Sequence, residues 1–60
     1  MGFGEQLRSR RKELGYSREE LAQKLGITSS AVGNYETGVS APRESVLLRL
    51  FDVLQVEPNY

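Results

Sequence analysis

Sixty residues, eight basic and eight acidic side chains, and neither Cys nor His bound the answer before any motif is read. That length fits one small domain with a marginal core, because so short a chain buries only about 60% of its unfolded surface. No disulfide framework, thiolate or imidazole metal site, or histidine general base can come from this composition.

No stretch approaches the roughly 18 consecutive apolar residues of a membrane span, and no apolar run follows Met1. The expectation is a soluble, cytoplasmic module that uses no membrane, metal or cofactor. Zero net charge hides an asymmetry. Residues 1–30 hold six basic side chains against four acidic ones, and residues 31–60 hold two against four. A basic first half is a mild pointer to a polyanion partner. Two solvated helical faces would give the same count.

Gly and Pro divide the chain into four predicted helices. The first runs from about Phe3 to Leu14, with Leu7, Arg11 and Leu14 on one face, and Gly15 stops it. Ser17-Arg18-Glu19-Glu20 is a capping box, Ser followed three residues later by Glu, and it opens the second helix. Leu21, Ala22 and Leu25 form its inward stripe, and Gly26 ends it. Thr28 is the N-cap of the third helix, in which Ala31, Val32 and Tyr35 lie at helical spacing before Thr37-Gly38. After Val39-Ser40-Ala41-Pro42, the fourth helix spans about Arg43 to Gln55. Its predicted main face is Leu47, Leu50, Phe51 and Leu54, and Pro58 blocks a simple continuation. β-Branched residues do not alternate, and there are no repeats or linkers. The predicted architecture is a single all-α domain over residues 1–60, a compact bundle of four to five short helices.

The second and third helices, about residues 18–37, have the spacing of a helix-turn-helix: two short helices joined by a tight turn containing Gly. Ala22 is small where the following helix crosses closely. Gly26 supplies the positive φ of the turn. Leu21, Leu25, Ile27, Val32 and Tyr35 bury the pair against a shared core. The solvent side of the third helix is then Ser29, Ser30, Gly33 and Asn34, short residues with no acid among them. That suits a surface facing phosphates, and it also describes an ordinary wet helix face.

The chain resembles the lambda and 434 repressor and Cro group of helix-turn-helix proteins, the XRE family. The resemblance rests on Gly4-Glu5-Gln6-Leu7-Arg8, Arg11-Lys12-Glu13-Leu14-Gly15-Tyr16-Ser17, Glu20-Leu21-Ala22-Gln23-Lys24-Leu25-Gly26-Ile27 and Val32-Gly33-Asn34-Tyr35-Glu36-Thr37-Gly38. Pro42 and the apolar run from Leu47 to Val56 extend it across nearly the whole chain. Three features depart from the family pattern. Phe51 stands where a small residue is usual, and Gln55 stands where Gly is frequent. Residues 57–60 fall where the family's fifth helix would begin.

The resemblance implies sequence-specific binding of double-stranded DNA and a role as a transcriptional regulator, most simply a repressor. Ser29, Ser30 and Asn34 would reach base edges in the major groove, where Asn can pair bidentately with adenine. Gly33, on the same face, either permits close approach of DNA or is a tolerated helix defect. Arg18 would touch the phosphate backbone at the start of the second helix, where free N–H groups also favour an anion. Thr28, Thr37 and Arg43 are the other expected phosphate contacts. Arg11 and Glu36 would pair in a partly buried salt bridge with a structural role. Arg8, Arg10, Lys12 and Lys24 read as solubilising.

The fourth helix carries more apolar residues than one face needs. Val46, Leu48 and Val53 lie beyond the main stripe, so the expected partner besides an inverted-repeat operator is a second copy, joined through this helix and the C-terminus. Val56 and Tyr60 folding back over the surplus is the alternative. An antitoxin-like or adaptor module on the same fold is the competing function, favoured by the neutral net charge. An enzyme is not expected, since no set of polar groups converges as nucleophile and base.

Overall fold

A computed structural model describes residues 2–56. Four helices follow one another: α1 (Phe3–Glu13), α2 (Arg18–Leu25), α3 (Ser29–Thr37) and α4 (Glu44–Leu54). There are no strands among the described residues, and each helix ends within a residue of its predicted boundary. Residues 57–60, including the predicted stop at Pro58 and the cover by Tyr60, lie outside the described residues.

The turns form as their residue types require. Ser17 accepts from the Glu20 N–H at 3.0 Å while the Glu20 carboxylate accepts from the Ser17 N–H at 2.9 Å, so the capping box is complete. Gly26 takes φ +72°, and its neighbour Ile27 donates back to the Ala22 carbonyl. Thr28 caps α3 by accepting from the Ala31 N–H at 3.1 Å. Gly4, inside α1, has a separate reason. A Cβ there would lie 2.7 Å from the Tyr35 carbonyl oxygen and closer still to that of Glu36. Only glycine lets the start of α1 rest against the last turn of α3.

Leu7, Leu21, Ala22, Leu25, Val32, Leu50 and Leu54 form one buried core, and Ile27 and Tyr35 are half-buried against it. The fourth helix meets this core differently from the prediction. Val46 and Val53 pack against the core and are not surplus. Leu47 and Phe51 lie on the opposite flank of the buried Leu50–Leu54 row. With Phe3, Gln6 and Leu7 they line an apolar groove of about 280 Å³ between α1 and α4. Leu48 is the exposed apolar residue of α4, with 57% of its surface open.

Two basic side chains close helix ends. Arg10 donates through Nε to the Leu54 carbonyl at 2.8 Å, and Arg49 donates to the Leu25 carbonyl at 3.2 Å. Both satisfy carbonyls that a helix C-terminus leaves without an internal partner. Arg10 is therefore a tie between α1 and α4, not merely a solubilising charge. Lys24 lies over the Tyr16 ring, 5.1 Å from its centroid.

Buried charge joins the other three helices. Arg11 Nε donates to Glu36 Oε2 at 2.6 Å, Arg11 Nη2 to Oε1 at 3.3 Å, and Arg11 Nη1 to the Tyr16 carbonyl at 2.8 Å. Arg18 Nε adds a bond to Glu36 Oε1 at 3.2 Å. The Glu36 side chain is 1% exposed. Burial pushes its carboxyl pKa up, but the hydrogen bonds and charges of Arg11 and then Arg18 outweigh burial and hold it below the ordinary value of 4.5.

Removing one partner of a buried pair costs about 3–5 kcal/mol. Sixty residues at typical specific stability hold only roughly 3–9 kcal/mol. Glu36→Gln is therefore expected to bring the domain close to unfolding at neutral pH. The folded-state pKa of Glu36 is depressed, so its contribution is fully present above the unfolded value and is lost as pH falls through the lower folded value. Urea unfolding at pH 7 and pH 3 checks both points: the parent loses stability below about pH 4.5, and the variant loses less over the same interval.

Gln55 is the one non-glycine at positive φ among the described residues, at +58° in the left-handed cap of α4. A side chain there costs roughly 1–2 kcal/mol relative to the right-handed region, a cost glycine escapes. Gln55→Gly is expected to raise stability by up to about 1 kcal/mol, less than the full cost because glycine also loosens the unfolded chain. Thermal unfolding would show a midpoint about 4–8 °C higher for a full 1 kcal/mol.

Candidate nucleic-acid interface

The exposed face of α3 follows from what the helix buries. Val32 and Glu36 point inward, and Tyr35 is half-buried. Ser30, Asn34 and Thr37 face outward, with Ser29 and Gly33 half-buried at the margin. No hydrogen bond among the described residues uses the side chain of Ser29, Ser30 or Asn34; Asn34 takes part only through its backbone carbonyl, which accepts from the Thr37 hydroxyl at 3.4 Å. Their donors and acceptors are free for a ligand. An uncommitted amide and hydroxyls, with no carboxylate exposed between them, can accept and donate at base edges without repelling phosphates.

The four expected phosphate contacts differ in what they have left to offer. Thr28 uses its oxygen as an acceptor in the cap of α3, so its hydroxyl proton remains available. Thr37 donates its proton back to the Gly33 carbonyl at 3.0 Å, so a phosphate contact would have to break that bond. Arg43 is the N-cap of α4, makes no side-chain cap bond and is exposed. Arg18 is the departure. Its Nε is committed to Glu36, and its guanidinium lies over Gly33: a Cβ built on Gly33 would meet Arg18 Nη1 at 3.5 Å and Cζ at 3.7 Å. The first turn of α2 also carries acidic groups. The capping box takes the Glu20 N–H, and Glu19 and Glu20 already place carboxylates in that first turn.

The structure thus gathers Ser29, Ser30, Gly33, Asn34 and Arg18 on α3 or against it, and leaves Thr28 at one end of that helix and Thr37 at the other. Sequence reasoning missed the seating of Arg18 on α3. The available signal was a glycine in the interior of α3 opposite an arginine at the first position of α2. Pairing them requires the helix crossing, which periodicity does not supply.

Comparison with known proteins agrees with this geometry. The sequence matches the Helix-turn-helix family over residues 7–60. It is 38% identical over 58 residues to the SPbeta prophage-derived transcriptional regulator YonR of Bacillus subtilis, covering 97% of this chain and 54% of that protein. It is 39% identical over 58 residues to the transcriptional regulator DicA of Escherichia coli, covering 97% of this chain and 43% of that protein. The chain spans about half the length of these curated relatives. Among solved structures, the P22 c2 repressor in complex with a synthetic operator superposes with a TM-score of 0.96 at 32% identity, covering all of this chain and 91% of that one. SinR in complex with DNA gives a TM-score of 0.85 at 33% identity, covering 93% and 90%. Sequence, helix order and turn chemistry agree: the chain belongs to the helix-turn-helix family, as a domain of the lambda and 434 repressor, or XRE, type.

Proposed function

We propose that this domain binds double-stranded DNA sequence-specifically and serves a transcriptional repressor. The carrying observation is the exposed face of α3, where Ser30 and Asn34 have free polar groups and no acid lies among them. Relatives that are transcriptional regulators, and a neighbour solved on its operator, support the reading. Asn34, Ser29 and Ser30 read base edges with Gly33 allowing close approach, while Thr28 and Arg43 fix the register on phosphates. Thr37 joins the phosphate set if its hydroxyl leaves the Gly33 carbonyl.

One recognition helix spans too few base pairs for a unique address. Two-fold pairing of half-sites about 34 Å apart solves this in helix-turn-helix dimers. A second copy is the partner this reading requires, approaching the flank of α4 that carries Leu48 rather than the Val46 and Val53 flank, which faces the domain's own core. The neutral net charge is the one observation favouring the competing protein-interaction module. Enrichment from a random duplex pool separates the two, because a module of that kind selects no sequence.

Selection with the parent is expected to return an inverted repeat. Asn34→Ala is expected to keep the fold, lower affinity and relax preference at one base pair in each half-site. A bidentate contact there is worth about 1–3 kcal/mol of discrimination. A variant consensus equal to the parent's would remove Asn34 from the readers. Arg43→Ala is expected to weaken binding evenly across sequences and to lower the slope of log affinity against log salt by about one unit. Titration of binding at several salt concentrations measures it directly.

A further inference from the structure

The recognition helix α3 contains no Lys or Arg, yet a guanidinium occupies its surface. Gly33 leaves open the space where a side chain would start, and Arg18 fills it from α2, with Nη1, Cζ and Nε at 3.5, 3.7 and 3.9 Å from that Cβ position. The side chain is 44% exposed, so the group is seated without being buried.

Its orientation is fixed. Nε donates to Glu36 Oε1, and Glu36 is itself held by two bonds from Arg11. Arg18 makes no other side-chain hydrogen bond among the described residues. The Nη1–Nη2 edge is therefore the pair of donors left over. A guanidinium held in one plane, with two parallel donors free, matches a planar acceptor pair. In the major groove that pair is O6 and N7 of guanine. A phosphate needs no such fixed plane, and at the first turn of α2 it would meet the carboxylates of Glu19 and Glu20, with the Glu20 N–H already taken by the capping box.

We propose that Arg18 acts as a side chain grafted onto α3 and reads a guanine in each half-site, rather than holding a phosphate. This rests on the DNA-binding reading above. Gly33 is then the residue that admits the graft, Arg11 and Glu36 are its positioning residues, and the uncharged face of α3 gains the cation it lacks. Holding the guanidinium in place before binding lowers the ordering cost of the contact.

The test is selection from a random duplex pool by the parent, Arg18→Lys and Arg18→Ala, each shown to be helical by circular dichroism. The parent is expected to enrich a repeat containing a guanine whose preference falls about five- to 150-fold in both variants. The positions read by Asn34 stay unchanged. Lysine keeps the charge but not the fork, so it does not restore the preference. Replacing that guanine by 7-deazaguanine removes N7 and is expected to weaken binding of the unaltered parent, which needs no variant to fold. An identical consensus from all three proteins, with evenly weaker binding and a lower salt slope for Arg18→Ala, would place Arg18 on a phosphate and overturn the proposal. Full rescue by lysine, or 7-deazaguanine without effect at every guanine of the site, overturns it equally. A parent that enriches no sequence would instead sink the DNA-binding reading, and this proposal with it.

Discussion

The carboxylate of Glu36 is 1% exposed in a domain of sixty residues. Burying that charge would be prohibitive alone, because an unpaired ion forfeits several kcal/mol of hydration. It is tolerable here because two guanidiniums from two other helices surround it, which makes the pose of α3 depend on α1 and α2 together. Arg11 also reaches the Tyr16 carbonyl, so the same cluster fixes the turn by which α2 leaves α1. Gly4 completes the arrangement, since its missing side chain lets the first turn of α1 touch the backbone that carries Glu36. The outward face of α3 is thus set from behind, by a buried ionic cluster rather than by contacts on the face itself.

The helix α4 is attached by other means. Leu50 and Leu54 enter the core, Arg49 bonds the end of α2, and Arg10 of α1 bonds the end of α4. Both arginines finish helices whose terminal carbonyls would otherwise turn to water. The groove beside Phe51 shows that the α1 side of α4 is less completely filled than the side carrying Val46 and Val53. A bulky Phe at a position where the family usually has a small residue lines that groove instead of entering the core.

Much of this was legible in the sequence where a cause is local. The capping box at Ser17, the Thr28 cap and the turn at Gly26 are each set by neighbours within a few residues, and each formed. The Arg11–Glu36 bridge was legible only through family resemblance, because its partners are 25 residues apart. Arg10 and Arg49 were not legible. A surface cation has the same periodicity whether it caps a distant helix or points to water. The apolar arc of α4 differs from its expected placement for a related reason. Spacing gives the width of an apolar stripe but not which flank faces the core, so the sequence alone places Val46 and Val53 outward and Leu47 and Phe51 inward.

The side chains of Ser29, Ser30 and Asn34 hold nothing together. No hydrogen bond among the described residues depends on them, whereas Gly33 is bound to the seating of Arg18 and Thr28 to the start of α3. Substitutions at the three free positions leave the folding free energy nearly untouched, as is usual for surface sites without structural partners. On the proposed DNA-binding reading, recognition can therefore diverge by single steps while the scaffold stays folded. A regulator whose cognate site is copied and altered can follow it without compensating changes elsewhere. An engineer has the same freedom, with three positions open to randomisation on a framework that does not have to be stabilised first.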